Sequence, residues 1–81
     1  MKLIHEYTIY DTDTSEKLFT IENYCIYRSA MGNIFAVHDD KCYSPYIVPI
    51  ITADSIIKNS NETTERKIEM LEMMGFVLVV G

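Results

Sequence analysis

Positive charge is scarce in this 81-residue chain: seven Lys and Arg stand against twelve Asp and Glu, a formal net charge of −5. The bases are scattered singly, apart from the neighbours Arg66 and Lys67. A surface that displaces counterions from a phosphate backbone needs several bases on one face, so direct nucleic-acid binding is not expected. Glycine is equally sparse, and Gly32, Gly75 and Gly81 stand far apart, so no Gly-rich loop that cradles phosphates is encoded. There is no Trp, and the six Tyr are not interleaved with bases, which makes a poor platform for stacking nucleobases. The longest uninterrupted apolar run, 76–80, falls far short of the roughly 20 residues of a membrane-spanning helix. The first residues also lack the cationic stretch, long apolar core and small-residue cleavage site of a secretory signal. The expectation is therefore cytoplasmic, with Cys25 and Cys42 as free thiols and Asn61-Glu62-Thr63 as a chance match to a glycosylation sequon.

What is abundant is apolar bulk, with eleven Ile and 48% apolar residues overall. That is enough to fold one core, and the length permits little more than one, so a single domain over 1–81 is expected. The run 3–10, LIHEYTIY, is β-branched and aromatic and reads as a first strand. Residues 11–15 are loop chemistry, because Asp and Ser side chains compete for nearby backbone groups. Over 17–28 the apolar phase switches at Glu22-Asn23, which is explained by a bulge within one long strand or by a tight turn between two; the bulge is the preferred reading. A turn over 28–33 leads to a strand at 34–37. Beyond it, Pro45 and Pro49 confine their segment to a sheet edge or loop. Thr52 is placed to cap a short helix over 53–58, the preferred reading, although Ile50, Ile51, Ile56 and Ile57 suit a strand equally.

The clearest element lies near the C-terminus. Asn59, Ser60 and Asn61 offer N-cap side chains, Glu62 and Glu65 suit the positive end of a helix dipole, and Gly75 suits the left-handed residue that ends a helix. The spacing predicts an amphipathic helix over about 62–74, with Ile68, Met70, Leu71 and Met74 on its apolar face. The all-apolar 76–80 then reads as a strand buried on both faces, hence a central one. An internal echo, Ile4-x-x-Tyr7-x-Ile9-Tyr10 against Ile21-x-x-Tyr24-x-Ile26-Tyr27, is best taken as two similar β-segments, since repeat architectures need at least three units. The fold class expected is α+β, a small two-layer domain. An antiparallel meander carries helix 62–74 on one face, above Tyr7, Ile9 and Ile34, and a final buried strand at 76–80.

Chemistry-bearing patterns are few. Cys25, His38 and Cys42, with His5 added, invite a zinc reading, but the paired Cys of a zinc finger is missing. A Cys25–His38 nucleophile pair has no local signature, and Asp39-Asp40 before Lys41 reads as a turn rather than a cation site. No catalytic residue, metal or cofactor is expected, and the chain is read as non-enzymatic. The row Glu62, Glu65, Glu69 and Glu72 forms a carboxylate stripe suited to steering a basic protein, and Tyr10 and Tyr27 are the tyrosines expected to lie exposed as anchors. Small acidic chains of this type occur among bacterial viruses. The functional expectation is a protein that binds, as inhibitor or modulator, a basic or nucleic-acid-handling host protein. The alternatives are a zinc module on Cys25, His38 and Cys42, or a homo-oligomeric subunit joined through a sheet edge or exposed Ile residues around 47–57.

Overall fold

A computed structural model describes residues 1–39 and 44–81. It has the expected α+β architecture, in the order β1 (Lys2–His5), β2 (Thr8–Asp11), a 3-10 turn (Thr12–Thr14), β3 (Glu16–Ile21), β4 (Tyr24–Arg28), β5 (Ile34–His38), β6 (Tyr46–Val48), α1 (Ile50–Lys58) and α2 (Thr64–Met73). Strands β3-β4-β5-β6 form an antiparallel meander in sequence order, and β1-β2 form a separate hairpin.

The run 3–10 is not one strand. It folds back at Glu6-Tyr7, pairing Leu3 with Tyr10 and Ile4 with Ile9, and Glu6 takes a positive φ of 55°. No Gly, Asn, Asp or Pro marks this turn, so local composition conceals it. The phase switch at Glu22-Asn23 is likewise a two-residue turn rather than a bulge: Ile21 pairs with Tyr24, and Glu22 has φ 52°. The turn returns Phe19, Ile21, Tyr24 and Ile26 to one face, because directly opposed residues of an antiparallel pair point the same way. A register shift does occur in β3, between Lys17 and Phe19. It lets consecutive Leu18 and Phe19 both serve the core, Phe19 buried within it and Leu18 packed against it.

The helices cover this face. Ile26, Ala36 and Val48 from the sheet meet Ala53 and Ile57 of α1 and Met70 and Leu71 of α2, together with Met74 just beyond it. On the opposite face Tyr10 of the hairpin rests on Phe35, ring centroids 4.8 Å apart, and β1 lies against β6. Phe35 and Val37 are buried there. The hairpin therefore adds cover on the side away from the helices, and Tyr7 and Ile9 lie in solvent rather than beneath α2. Of the three expected partners of the helix, only Ile34 packs against the core.

Helix α1 begins at Ile50, earlier than the 53–58 read from Thr52. Pro49 stands at its N-cap, and its carbonyl accepts from the amides of Thr52 and Ala53. The α1 C-terminus is tied down by the Ser60 hydroxyl, which donates to Ile57 O (2.8 Å), and by Lys67 Nζ, which donates to Lys58 O (2.9 Å). Helix α2 starts later than expected because the working cap is Thr63, whose Oγ1 accepts from the Arg66 amide at 3.2 Å. At its far end Gly75 (φ 95°) donates to Glu72 O and Phe76 donates to Leu71 O, the two bonds of a Schellman stop. Arg28 reaches from β4 to both Glu16 (3.4 Å) and Met73 O (3.3 Å). It thereby places a cation at the negative end of a helix whose own last turn has none.

Residues 76–80 do not form the central strand expected of them. They carry no regular structure and lie exposed. The physical reason is topological. Short local connections fill both flanks of β4 and β5 with the meander's own strands, so a segment leaving α2 finds no interior place.

Candidate functional site

Helix α2 turns its exposed face outward with Glu65, Glu69 and Glu72, all in solvent. From Glu65 to Glu72 the row spans about 10 Å at the usual rise per residue. Glu69 pairs with Arg66 at 3.0 Å. Arg28 and Lys58 are paired with Glu16 and Asp54 respectively, and Lys67 is turned to the end of α1. Glu62, expected in the same row, precedes the Thr63 cap and lies outside the helix. There it lines a shallow concavity of about 310 Å³ with Ile21, Glu22 and Ser60.

Ile68, read as a core residue, is 40% exposed. The reason is its phase: Met70, Leu71 and Met74 define the buried arc, and Ile68 lies with Glu65 three residues before it and Glu72 four after it, the neighbours that share a helix face. The outward face of α2 is therefore a carboxylate stripe with an isoleucine along one flank. Apolar spacing finds Ile68 in the sequence, but assigns it to the wrong side.

Tyr10 and Tyr27 are not exposed anchors. Both are partly buried against Phe35, Tyr10 tilted at 40° and Tyr27 stacked 5.2 Å away at an interplanar angle of 11°. Burial pushes the Tyr27 phenol above its ordinary pKa, with negative charge at Cys25, Asp39 and Asp13 adding to the rise. These rings sit on the sheet face away from the helices, so the structure separates them from the carboxylate row. Among the described residues the tyrosines in solvent are Tyr7 and Tyr46. Sequence reasoning also missed the outer face of the β1-β2 hairpin, where Ile4 and Ile9 form an exposed cross-strand pair. Ile9 and Met31 line a concavity of about 200 Å³ there.

Cys25 and His38, shared by the zinc and nucleophile readings, are not brought together. Cys25 is opposite Val37, and His38 is opposite Tyr24, so the thiol and the imidazole project from opposite faces of the sheet. Cys25 instead meets Thr20, Sγ to Oγ1 3.8 Å, and His38 is held between the rings of Tyr24 and Tyr46, each centroid 5.0 Å away. His38 Nδ1 is buried without a hydrogen-bond partner among the described residues. Cys42 and Asp40 lie outside the described residues, as do Lys41 and Tyr43. Among the described residues no group of three or more His, Cys, Asp or Glu is placed to hold a metal ion, and no helix is long and apolar enough to cross a membrane.

Compared with models of known protein families, with curated proteins and with solved structures, the chain matches none.

Proposed function

We propose that this chain is a non-enzymatic interaction protein that engages a basic protein partner through the outward face of α2. The observation that carries the reading is the exposed stripe Glu65, Glu69 and Glu72 with Ile68 exposed along its flank. An apolar residue beside a charged row suits a protein contact, in which the apolar part loses water and the charges set partner and register. The carboxylate row steers a positively charged surface toward the helix and repels acidic ones. The core does not need this face, since Met70, Leu71 and Met74 already close it. A basic or nucleic-acid-handling protein that this chain inhibits or modulates fits that chemistry, because such proteins carry the complementary charge.

The test is affinity capture with the wild-type chain and a Glu65→Lys plus Glu69→Lys variant side by side, with far-UV circular dichroism as the control for folding. The expected result is a basic protein retained by the wild type and lost from the folded double variant, with Ile68→Ala weakening the same capture. Equal retention by the double variant overturns the reading.

A further inference from the structure

Residues 76–80, Phe-Val-Leu-Val-Val, are the longest apolar run of the chain, yet they lie exposed. Val77 is 89% exposed and Val79 87%, whereas Phe76 and Leu78 are 38% and 43% exposed, and Val80 at the end is fully in water. Over 76–79 this alternation of period two is that of a strand resting one side on the body and offering the other side to water. On the order of 500 Å² of apolar side chain remains in water here, at the upper end of the largest patch on a typical monomer.

The same chain carries an unfilled strand position. β3 is one edge of the four-stranded sheet, with β4 as its one neighbour. In the register set by the two-residue turn, Ile21 and Tyr24 exchange both backbone bonds and Thr20 and Cys25 exchange none. The N–H and C=O of Thr20, an exposed residue, therefore face outward from the open edge. The segment starts beside this edge, because Arg28 ties the end of α2 to Glu16 at the start of β3. The Schellman bonds at Gly75 and Phe76 fix its point of departure.

The geometry points to a second copy of this chain as the occupant: residues 76–80 of each copy add as a strand to the β3 edge of the other. Both halves of the contact are on one chain, so a two-fold exchange satisfies each half twice and closes. The area agrees. Burying the segment on both copies, with the surface it covers, removes roughly 2,000 Å² from water, the size of a stable interface. Pairing within one chain fills the same edge but buries half as much. Contact between two β3 edges alone leaves the valines in water. The α2 face plays no part in this exchange, so it stands or falls apart from the partner reading above.

Sedimentation equilibrium on the full chain tests it. The expected mass is twice the chain's 9.4 kDa. Val77→Lys with Val79→Lys, which charges the segment, and Thr20→Pro, which removes an outward N–H without taking a bond from β4, should each raise the dissociation constant at least about tenfold. Mixing these two variants should restore a heterodimer, because one intact segment then meets one intact edge. Hydrogen exchange on the wild type covers the case in which Thr20→Pro does not fold: the Thr20 amide should be protected, and that protection should fall on dilution. A monomer at all concentrations overturns the proposal. So does a dimer indifferent to the segment and edge variants, or Thr20 protection independent of concentration, which would mean pairing within one chain.

Discussion

Leu71 and Ile68 lie one turn apart on α2, and the structure assigns them opposite duties. Leu71 is 8% exposed inside the cluster formed by Phe19, Ile26, Ile57 and Met74, whereas Ile68 faces solvent. Truncating Leu71 to Ala removes buried methyl groups and leaves a cavity between helix and sheet, at a cost of about 2–5 kcal/mol. A domain of this length holds roughly 4–12 kcal/mol in total, so the variant loses a large share of its stability. At about 4–8 °C per kcal/mol, a mid-range loss lowers Tm by roughly 10–25 °C. Ile68→Ala gives up only the covered part of a side chain and opens no enclosed cavity, while Ala is the better helix former, so its cost is about 1 kcal/mol or less. Urea denaturation followed by far-UV circular dichroism measures both, and equal m-values confirm that the denatured ensembles are comparable. If Ile68→Ala costs as much as Leu71→Ala, α2 is rotated from the orientation described and the proposed binding face is part of the core. If Leu71→Ala costs under about 1 kcal/mol, the helix is not the lid of the core at all.

Two further outcomes test the turns and the aromatic cluster. Glu22 has φ 52° at the first central position of its turn, with Asn23 not at positive φ, the pattern of a turn that ordinarily carries Gly there. Glu22→Gly should therefore raise stability by about 1 kcal/mol in the same urea assay, and Glu22→Ala should not; equal stability of the two variants refutes strain at this turn. Tyr27, its phenol raised by burial beside Phe35, should ionise last among the tyrosines in an ultraviolet difference titration. A folded pKa above the unfolded value means that the native state holds the proton longer. This contribution is therefore complete below the unfolded value of about 10 and is lost as pH climbs through the folded one. Tyr27→Phe should remove the late step and flatten the alkaline fall in stability, and an unchanged titration refutes the assignment.

How far these features were legible in the sequence depended on whether their cause was local. Helix α2 was readable because its cap chemistry, period and Gly75 stop lie within one stretch of chain, although the choice of Thr63 over Asn59–Asn61 as cap and the side taken by Ile68 went astray. The strand at 34–37 was readable for the same reason, whereas β6 was not assigned from the sequence: Pro45 and Pro49, which bracket it, left edge and loop equally open. The hairpin at Glu6-Tyr7 was not readable, because a glutamate held at positive φ is imposed by the pairing on either side and leaves no compositional mark. The phase switch at Glu22-Asn23 was visible, but bulge and turn give the same apolar pattern. Only the placement of Tyr24 opposite Ile21 separates them.

The candidate surface shows the same division in a form that bears on function. Glu65, Glu69 and Glu72 follow from helical spacing, so their common face could be stated from the sequence. The apolar flank of that face could not, because Ile68 satisfies the apolar period of the core-facing stripe as well. What decides it is the position of the sheet, and Phe19, Ile26 and Ile57 draw the arc of Met70, Leu71 and Met74 inward. Residues 76–80 invert the case. Their composition demands burial, but β4 and β5 are already flanked, so the fold offers them no interior place and leaves an outer edge such as that of β3. A segment that reads as interior and is found outside, next to an edge that lacks a strand, has its missing half on another chain, and the identical chain is the one that supplies both halves at once.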